Sequence, residues 1–417
     1  MDILEIANII KNAGGRLYLV GGALRDLFLK KELHDEDYCV TGIESKQFLK
    51  LFPNANVRGK AFEVFDIDSK EFAMARKEEK CGVGHKEFKI STGTNITIEE
   101  DLSRRDITIN SIAQDVLTKE IIDPFNGRTD IENKVIRATT NAFKEDPLRV
   151  YRVARFAAQL EFSVDAHTMC LMKELKPELN TLSKERVFVE FNKALKTNKP
   201  SIFFNILKEA DVLDVHFKEI YNLIGSLQPK KYHPEGDSYN HTMLVVDKCA
   251  ELSTNVEIRF CALVHDLGKG TTPKHLYPHH YGHDERGVEL VQALGNRIGV
   301  PKLWIKCGKV AAKEHMLGGI FGKMKPAKKV DFIERVGKTY LGLDGLQIVV
   351  NADRGGRGEY KDTAKENKNS QFAEIGAKCL KEIDGNYIVD KYNLDSGKLF
   401  GDKLHEERVL WMKKNYI

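Results

Sequence analysis

The chain has 417 residues, of which 42% are hydrophobic and 30% charged, with a net charge of +4. That length exceeds one ordinary core and predicts two to four domains, while the lack of an apolar run long enough to cross a bilayer excludes a membrane-spanning helix. Seven cysteines, at 39, 81, 170, 249, 261, 307 and 379, never reach CxxC spacing, which excludes a disulfide framework and a structural zinc and argues for a reducing, cytoplasmic setting.

The first segment, MDILEIANIIKNAGG, has acids and no cationic leader, and it predicts a short amphipathic helix ending at Gly14. Residues 16–140 mix the β-rich runs RLYLV, DYCVTG, AFEVFDID, EFAMAR and FKIST with helical segments, which predicts a head over 1–140 built on a small mixed sheet. From 141 the strand signals vanish, and DPLRVYRVARFAAQL, DAHTMCLMKELKPEL and SKERVFVEFNKAL space their apolar residues as helices do. The expected fold class is therefore α+β, with the head followed by an all-α neck and body over 141–225. SLQPKKYHPEGDSYNH, with its two prolines and a glycine, reads as a linker near 226–241 that opens a second helical block over 226–355. A helical tail over 356–417 contains an amphipathic segment with Trp411.

LYLV, Gly21-Gly22 and ALRDLFLKK read as strand, tight turn and helix. Glycines there admit a phosphate to backbone N–H groups at the positive end of the helix, and Arg25 adds a fixed cation. In HDEDYCVTG, Asp35 and Asp37 alternate along a predicted strand and so project from one side. Their repulsion is relieved by a divalent cation, and magnesium prefers such hard oxygen ligands. The combination suits in-line attack of a hydroxyl on an α-phosphate, which is nucleotidyl transfer with Asp35 and Asp37 as its catalytic carboxylates. Further on, EEDLSRRDITINSIAQD offers Arg104 and Arg105 to triphosphate oxygens, with Asp106 and Asn110 to orient sugar hydroxyls.

FKEDPLRVYRVARF places Pro147 in a first helical turn and clusters Glu145, Asp146, Arg149 and Arg152 at helical spacing. Cytosine and adenine present an amino donor beside a ring-nitrogen acceptor, whereas uracil and guanine present a carbonyl beside an N–H. A carboxylate next to a guanidinium, Asp146 with Arg149, would accept the first pair and reject the second.

The second helical block carries NHTMLVVDK, RFCALVHDLGKG, HHYGHDERG, KEHM and VNADRG, so that His241, His265-Asp266 and Asp353 follow in the order H, HD, D. Imidazoles mixed with carboxylates favour nickel, manganese or cobalt over magnesium, and such an ion makes a hydroxide nucleophile from water. His283 and His315 could complete a second metal position, orient a substrate phosphate, or play no part. Lys302, Lys306, Lys309 and Lys313 share one helical face that is either a solvated surface or a contact for RNA phosphates.

GGALRD, DED, RRDITIN, DPFNGRTDIENKVIRA, EDPLR and SKERVFVE, in this order from residue 18 to about 200, resemble the successive motifs of class II tRNA nucleotidyltransferases, the CCA-adding enzymes. Bacterial poly(A) polymerases share much of this head. The resemblance implies Asp35 and Asp37 as metal ligands; Gly22, Arg25, Arg105, Arg149 and Arg152 as contacts to ATP and CTP; and Glu145, Asp146 and Arg149 as an amino-acid template for the incoming base. Leu24 and Tyr38 stand where long bacterial members more often have Val and Trp, both conservative changes. Residues 226–355 resemble the HD phosphohydrolase superfamily, and the combination resembles bacterial members that join the two. It implies addition of CCA to tRNA 3' ends from CTP and ATP with magnesium, 3'-end repair, and phosphatase, 2'-nucleotidase and 2',3'-cyclic phosphodiesterase activity at the HD centre. The alternatives are a bacterial poly(A) polymerase, or an HD phosphohydrolase whose inactive head binds RNA. Expected partners are tRNA, ATP and CTP, with no membrane, and the expected assembly is a monomer or homodimer.

Overall fold

Asp2 opens the first helix, α1 (Ile3–Asn12), through a capping box in which its own N–H is bonded by Glu5. Ile6, Ala7 and Ile10 form the buried stripe of α1, and the chain leaves it at Gly14 with φ +91°. This helix begins the first of two units into which the computed structural model divides: Met1–Arg186 with Glu209–Val212, and Val187–Lys208 with Leu213–Ile417. The structure describes residues 1–32, 36–58, 63–80, 88–357 and 370–416.

The first unit is built on β1 (Arg16–Val20), α2 (Gly22–Phe28), β2 (Asp37–Thr41), α3 (Ser45–Leu51), β3 (Asn56–Arg58), β4 (Val64–Ile67) and β5 (Lys70–Met74). An antiparallel ribbon, β6 (Arg76–Lys80) with β7 (Phe88–Thr92), precedes α4 (Ile98–Ser103), β8 (Ala113–Asp115) and β9 (Ile121–Ile122). The main sheet has 7 strands in the order β3-β4-β5-β2-β1-β8-β9, and within it β2 and β5 run parallel. Alternation along the strands separates its two faces. Leu17, Tyr38, Val40, Phe65 and Phe72 share a core with α1 and with Phe48 of α3, whereas Tyr18, Val20, Cys39 and Ala113 pack with Ile98 and Leu102 of α4. Helices α5 (Gly127–Glu132), α6 (Arg149–Leu160) and α7 (Ala166–Glu174) follow, and a short parallel pair, β10 (Val135–Ile136) with β11 (Ser163–Val164), lies among them.

From there the fold is helical: α8 (Lys184–Leu195), α9 (Ser201–Glu209), α10 (Leu213–His216), α11 (Lys218–Tyr221), α12 (Ser238–Leu252), α13 (Val256–Val264), α14 (His283–Ile298), α15 (Lys302–Gly319), α16 (Pro326–Gly337) and α17 (Gly342–Gly355). A mixed α+β head and a helical remainder are thus what the chain forms. Of the expected linker over 226–241, residues 226–237 lie within the second unit as a closed loop and 238–241 are the first turn of α12: Gln228 N–H donates to Gly236 O at 3.0 Å and Ser238 N–H to Ser226 O at 2.9 Å. The tail helix Gly397–Asn415 packs into the same unit, burying Met412 with Phe332, Ile333 and Val336, and Trp411 Nε1 donates to Glu382 at 2.6 Å. Among the described residues, no helix is long and apolar enough to cross a membrane.

Candidate active sites

Strand register places the first site. Val20, the last residue of β1, pairs with Asp37, the first of β2, so the glycine turn and this carboxylate share one end of the sheet. Asp37 is exposed, on the face that α4 covers; Asp35 lies outside the described residues. Gly21 has φ +72°, a backbone conformation that residues with side chains rarely adopt, and a Cβ there would stand 2.9 Å from Arg105 Nη1 and push the guanidinium aside. At Gly22 a Cβ would come within 3.5 Å of Arg25 Nη2. Two cations therefore converge on the turn.

These cations are held by buried acceptors. Asp101 at the end of α4 takes Arg104 Nη2 at 2.6 Å and Arg105 Nη2 at 3.1 Å. Burial alone would raise the Asp101 carboxyl, but the two guanidiniums outweigh it and hold the group below its ordinary range. Arg105 Nε is buried without a hydrogen-bond partner, a charged donor left over beside the turn. Arg25 bonds Asp26 at 2.9 and 3.0 Å and reaches Asn110 Oδ1 at 2.8 Å; Asn110 Nδ2 in turn donates to Asp106 Oδ1 at 3.3 Å, and Arg152 Nε to Asp106 Oδ2 at 2.7 Å. A continuous polar chain thus runs from the glycine turn through the RRD segment to α6. Burial pushes Asp106 up, but Arg152 and Arg149 pull it down to about 2.

Phe156 is the hub on α6. Its ring lies 5.3 Å from Arg25, 5.5 Å from Arg152 and 3.5 Å from Arg155. The π-face helps three cations share one wall. Arg149 is buried, with Nη1 bonded to Ala142 O at 2.7 Å and Nη2 to Arg104 O at 2.6 Å. Glu145 ends a 3-10 turn immediately before Asp146. Asp146 accepts Leu148 N–H at 3.0 Å and is met at 2.7 Å by Arg186, in the SKERVFVE stretch. The motifs point to Asp146 and Arg149 as partners; Arg186 is an additional guanidinium that only tertiary contact identifies.

The second site lies in the helical unit. His241 comes from α12, His265 and Asp266 from the end of α13, His283 from the first turn of α14, His315 from α15 and Asp353 from α17. The four histidines converge on Asp266, and Asp353 meets His241 and His265. Its Oδ2 is 3.2 Å from His265 Nε2 and 3.7 Å from His241 Nε2, while its Oδ1 is 3.3 Å from His283 Nε2 and 3.4 Å from His315 Nε2. Asp353 Oδ1 is 3.1 Å from His241 Nε2. The glycine of HDLGK makes the approach possible, because a Cβ on Gly268 would fall 1.9 Å from His283 O.

Electrostatics in this cluster favour a cation. Burial raises the Asp266 carboxyl, yet Lys269 and His265 bring it well below the usual range; Asp353 is likewise brought down by Arg357 and His241 against burial. Burial lowers His241, but Asp353 and Glu235 raise it further than burial depresses it. Asp266 Oδ1, His265 Nε2 and His283 Nε2 are buried with no hydrogen-bond partner, while Asp266 Oδ2 is ion-paired with Lys269. Orphaned acceptors and imidazole nitrogens aimed at one point are the donor set of a divalent metal, so the residues fit one. His241, His265 and Asp353 form one such group and His265, Asp266 and His315 another. Lys269 Nζ, 2.5 Å from Asp266 and bonded to Gln228 at 2.7 Å, was marked in the sequence only by its place in HDLGK. The lysine stripe on α15 is split: Lys302 and Lys306 are exposed, whereas Lys313 is paired with Glu285 and Asp284.

Residues 17–137 match the family described as poly A polymerase head domain, residues 161–223 the probable RNA and SrmB-binding site of polymerase A, and residues 238–330 the HD domain. These matches and the two sites define a polymerase-type nucleotidyltransferase head joined to an HD domain. Over 366 residues the chain is 40% identical to the multifunctional CCA protein of Mannheimia succiniciproducens, covering 84% of this chain and 87% of that protein. The chain belongs to the multifunctional CCA protein family, the class II tRNA nucleotidyltransferases that carry an HD domain. The solved structures agree on the fold. A CCA-adding enzyme with ATP aligns with a TM-score of 0.64 at 18% identity over 99% of this chain and 90% of that one. The Bacillus stearothermophilus CCA-adding enzyme in complex with CTP aligns with a TM-score of 0.58 at 19% identity over 99% and 92%.

Proposed function

We propose that this protein adds CCA to the 3' end of tRNA from CTP and ATP without a nucleic-acid template, and that its HD centre is a metal-dependent phosphohydrolase. The observation that carries the first part is the polar chain from Arg25 through Asn110 and Asp106 to Arg152, which gathers the glycine turn, the RRD segment and the EDPLR helix into one site. In this reading Gly22, Arg25 and Arg105 seat the triphosphate, and Asp106 holds Arg152 and Asn110 toward the nucleotide. Glu145, Asp146 and Arg149 choose the base. Asp35 and Asp37 would hold Mg2+, which supplies charge neutralisation at the α-phosphate while the tRNA 3'-hydroxyl attacks. The division of labour is a head over 1–140, a base-selecting and RNA-binding body over 141–225, the HD domain over 226–355 and a tail over 356–417.

His241, His265, Asp266 and Asp353 would hold a divalent ion such as Ni2+, Mn2+ or Co2+, with His283 and His315 on the far side of Asp266. The ion supplies Lewis-acid polarisation of a phosphate and a nucleophile at neutral pH. Lys269, beside Asp266, adds a fixed positive charge for a phosphate oxygen. Phosphomonoesters, 2'-nucleotides and 2',3'-cyclic phosphates, the termini of damaged tRNA, are the proposed substrates. A cytoplasmic monomer or homodimer acting on tRNA accounts for the buried free thiols among the described cysteines.

The test is incubation with magnesium, CTP, ATP and a tRNA lacking its last three nucleotides, followed by sequencing of the 3' ends. Ends reading CCA support the proposal. Oligo(A) ends assign the head to a poly(A) polymerase, and unaltered ends leave an HD phosphohydrolase with an inactive head.

A further inference from the structure

Each imidazole around Asp266 is gripped through its Nδ1. His265 Nδ1 lies 2.7 Å from Ala262 O, His283 Nδ1 2.7 Å from His280 O, and His315 Nδ1 3.0 Å from both Ala311 O and Ala312 O. A carbonyl only accepts, so Nδ1 carries the hydrogen in these rings and Nε2 keeps its lone pair for the centre. His241 is held differently. Its Nδ1 meets a carboxylate, Glu235 Oε1, at 2.8 Å.

Glu235 comes from the loop ahead of α12. Asp237 caps that helix by accepting Asn240 N–H at 2.9 Å and closes the loop by accepting Gly225 N–H at 2.8 Å, which fixes Glu235 less than two turns before His241. His233 Nδ1 reaches the same Glu235 oxygen at 2.9 Å, and its ring stands edge-on to His241 with centroids 4.8 Å apart. His233, Glu235 and His241 are close enough to suggest an ion of their own. Yet contacts of 2.8 and 2.9 Å are hydrogen-bond lengths, and a metal on His241 Nδ1 would displace the hydrogen that orients the ring.

We infer that Glu235 is the positioning carboxylate of the HD centre: it accepts the Nδ1–H of His241, fixes the ring with Nε2 toward Asp266 and Asp353, and strengthens that nitrogen as a donor to a divalent cation. The inference rests on the reading of His241 as a metal ligand. Glu235 never touches the ion; its effect is transmitted through the imidazole, as carboxylates behind metal-binding histidines generally act. His233 is a second contact to the same Glu235 oxygen, which helps hold the carboxylate in place. The loop over 226–237 is consequently part of the metal site.

The experiment is a Co2+ titration of the full chain, read by the visible absorption of the bound ion, for wild type, D266A, E235A and E235Q. Wild type is expected to saturate and D266A to lose binding. E235A should weaken Co2+ about 10- to 100-fold and alter the absorption band, and E235Q should lose less, because its amide oxygen still accepts from Nδ1 without the charge. Wild-type affinity and spectrum in E235A would overturn the inference. Circular dichroism of the metal-free variants checks folding; if E235A does not fold, E235Q decides, and an affinity within twofold of wild type overturns it. A wild-type chain with no saturable Co2+ binding, or D266A binding as well as wild type, overturns instead the reading of the centre as a metal site.

Discussion

Arg152 donates from Nε to Asp106 Oδ2 at 2.7 Å, joining two segments 46 residues apart in the chain. The contact holds α6, proposed to select the base, to the RRD segment, which reaches the glycine turn through Asn110 and Arg25. Asp106 is lowered from 3.8 to about 2, against burial, by Arg152 and Arg149. A depressed carboxyl stabilises the fold above its ordinary value and loses that contribution as pH falls through the folded value. The expected contribution is about 2 kcal/mol near neutral pH, vanishing between about pH 4 and pH 2. Asp106→Asn should therefore be less stable than wild type at pH 7 in urea unfolding, with the gap narrowing below pH 4; a gap independent of pH would contradict this account.

Arg186 meets Asp146 at 2.7 Å, so it sets the direction of the carboxylate proposed to read the base. Arg186→Ala and Asp146→Ala should both relax base choice, raising UTP and GTP incorporation relative to CTP and ATP about tenfold, roughly 1.4 kcal/mol. Triphosphate affinity should change less. Primer-extension competition among the nucleotides measures the ratio, and continued exclusion of UTP and GTP in Asp146→Ala would remove this residue from the template.

Gly21 combines a positive φ with the Arg105 guanidinium 2.9 Å from where a Cβ would lie. Gly21→Ala should cost about 1 kcal/mol of stability from backbone strain and shift Arg105 away from the turn. The accompanying rise in KM should be equal for CTP and ATP, because the phosphates and not the bases are affected; thermal melts and steady-state kinetics report the two effects.

Asp37 stands at the register position of Val20, beside the glycine turn. Asp37→Ala, and Asp35→Ala with it, should lower nucleotide incorporation by at least about 1,000-fold, since no other group proposed here holds the magnesium. Hydrolysis at the HD centre should persist. Retained transfer in either variant would refute the carboxylate pair.

Asp266 faces His265 and His241 with one oxygen and His283 and His315 with the other. Asp266→Ala should abolish metal uptake and hydrolysis of 2',3'-cyclic phosphates while CCA addition continues. Metal analysis and the two activity assays, run on one preparation, separate these outcomes.

Local sequence was sufficient for whatever depends on local order. The alternation of RLYLV and DYCVTG, the glycine turn between strand and helix, and the helical spacing after residue 141 follow from backbone periodicity, and β1, β2, α2 and the helices α6 to α8 stand where it puts them, whereas β11 at 163–164 is a strand within the stretch expected to be all helix. The motif order also singled out Arg25, Asp106, Arg152, His241, His265, Asp266 and Asp353 as candidates, and the fold brings the first three into one polar chain and the last four into one buried cluster. Tertiary structure decided the partners. Asp101 neutralises Arg104 and Arg105, Phe156 gathers Arg25, Arg152 and Arg155, Arg186 reaches Asp146, and Glu235 ties the loop ahead of α12 to His241. Such contacts join residues distant in sequence or facing each other across a loop, and nothing in a linear pattern specifies which buried charge will meet which. Desolvation makes that choice, since a charge taken out of water must find its counterpart in the folded chain.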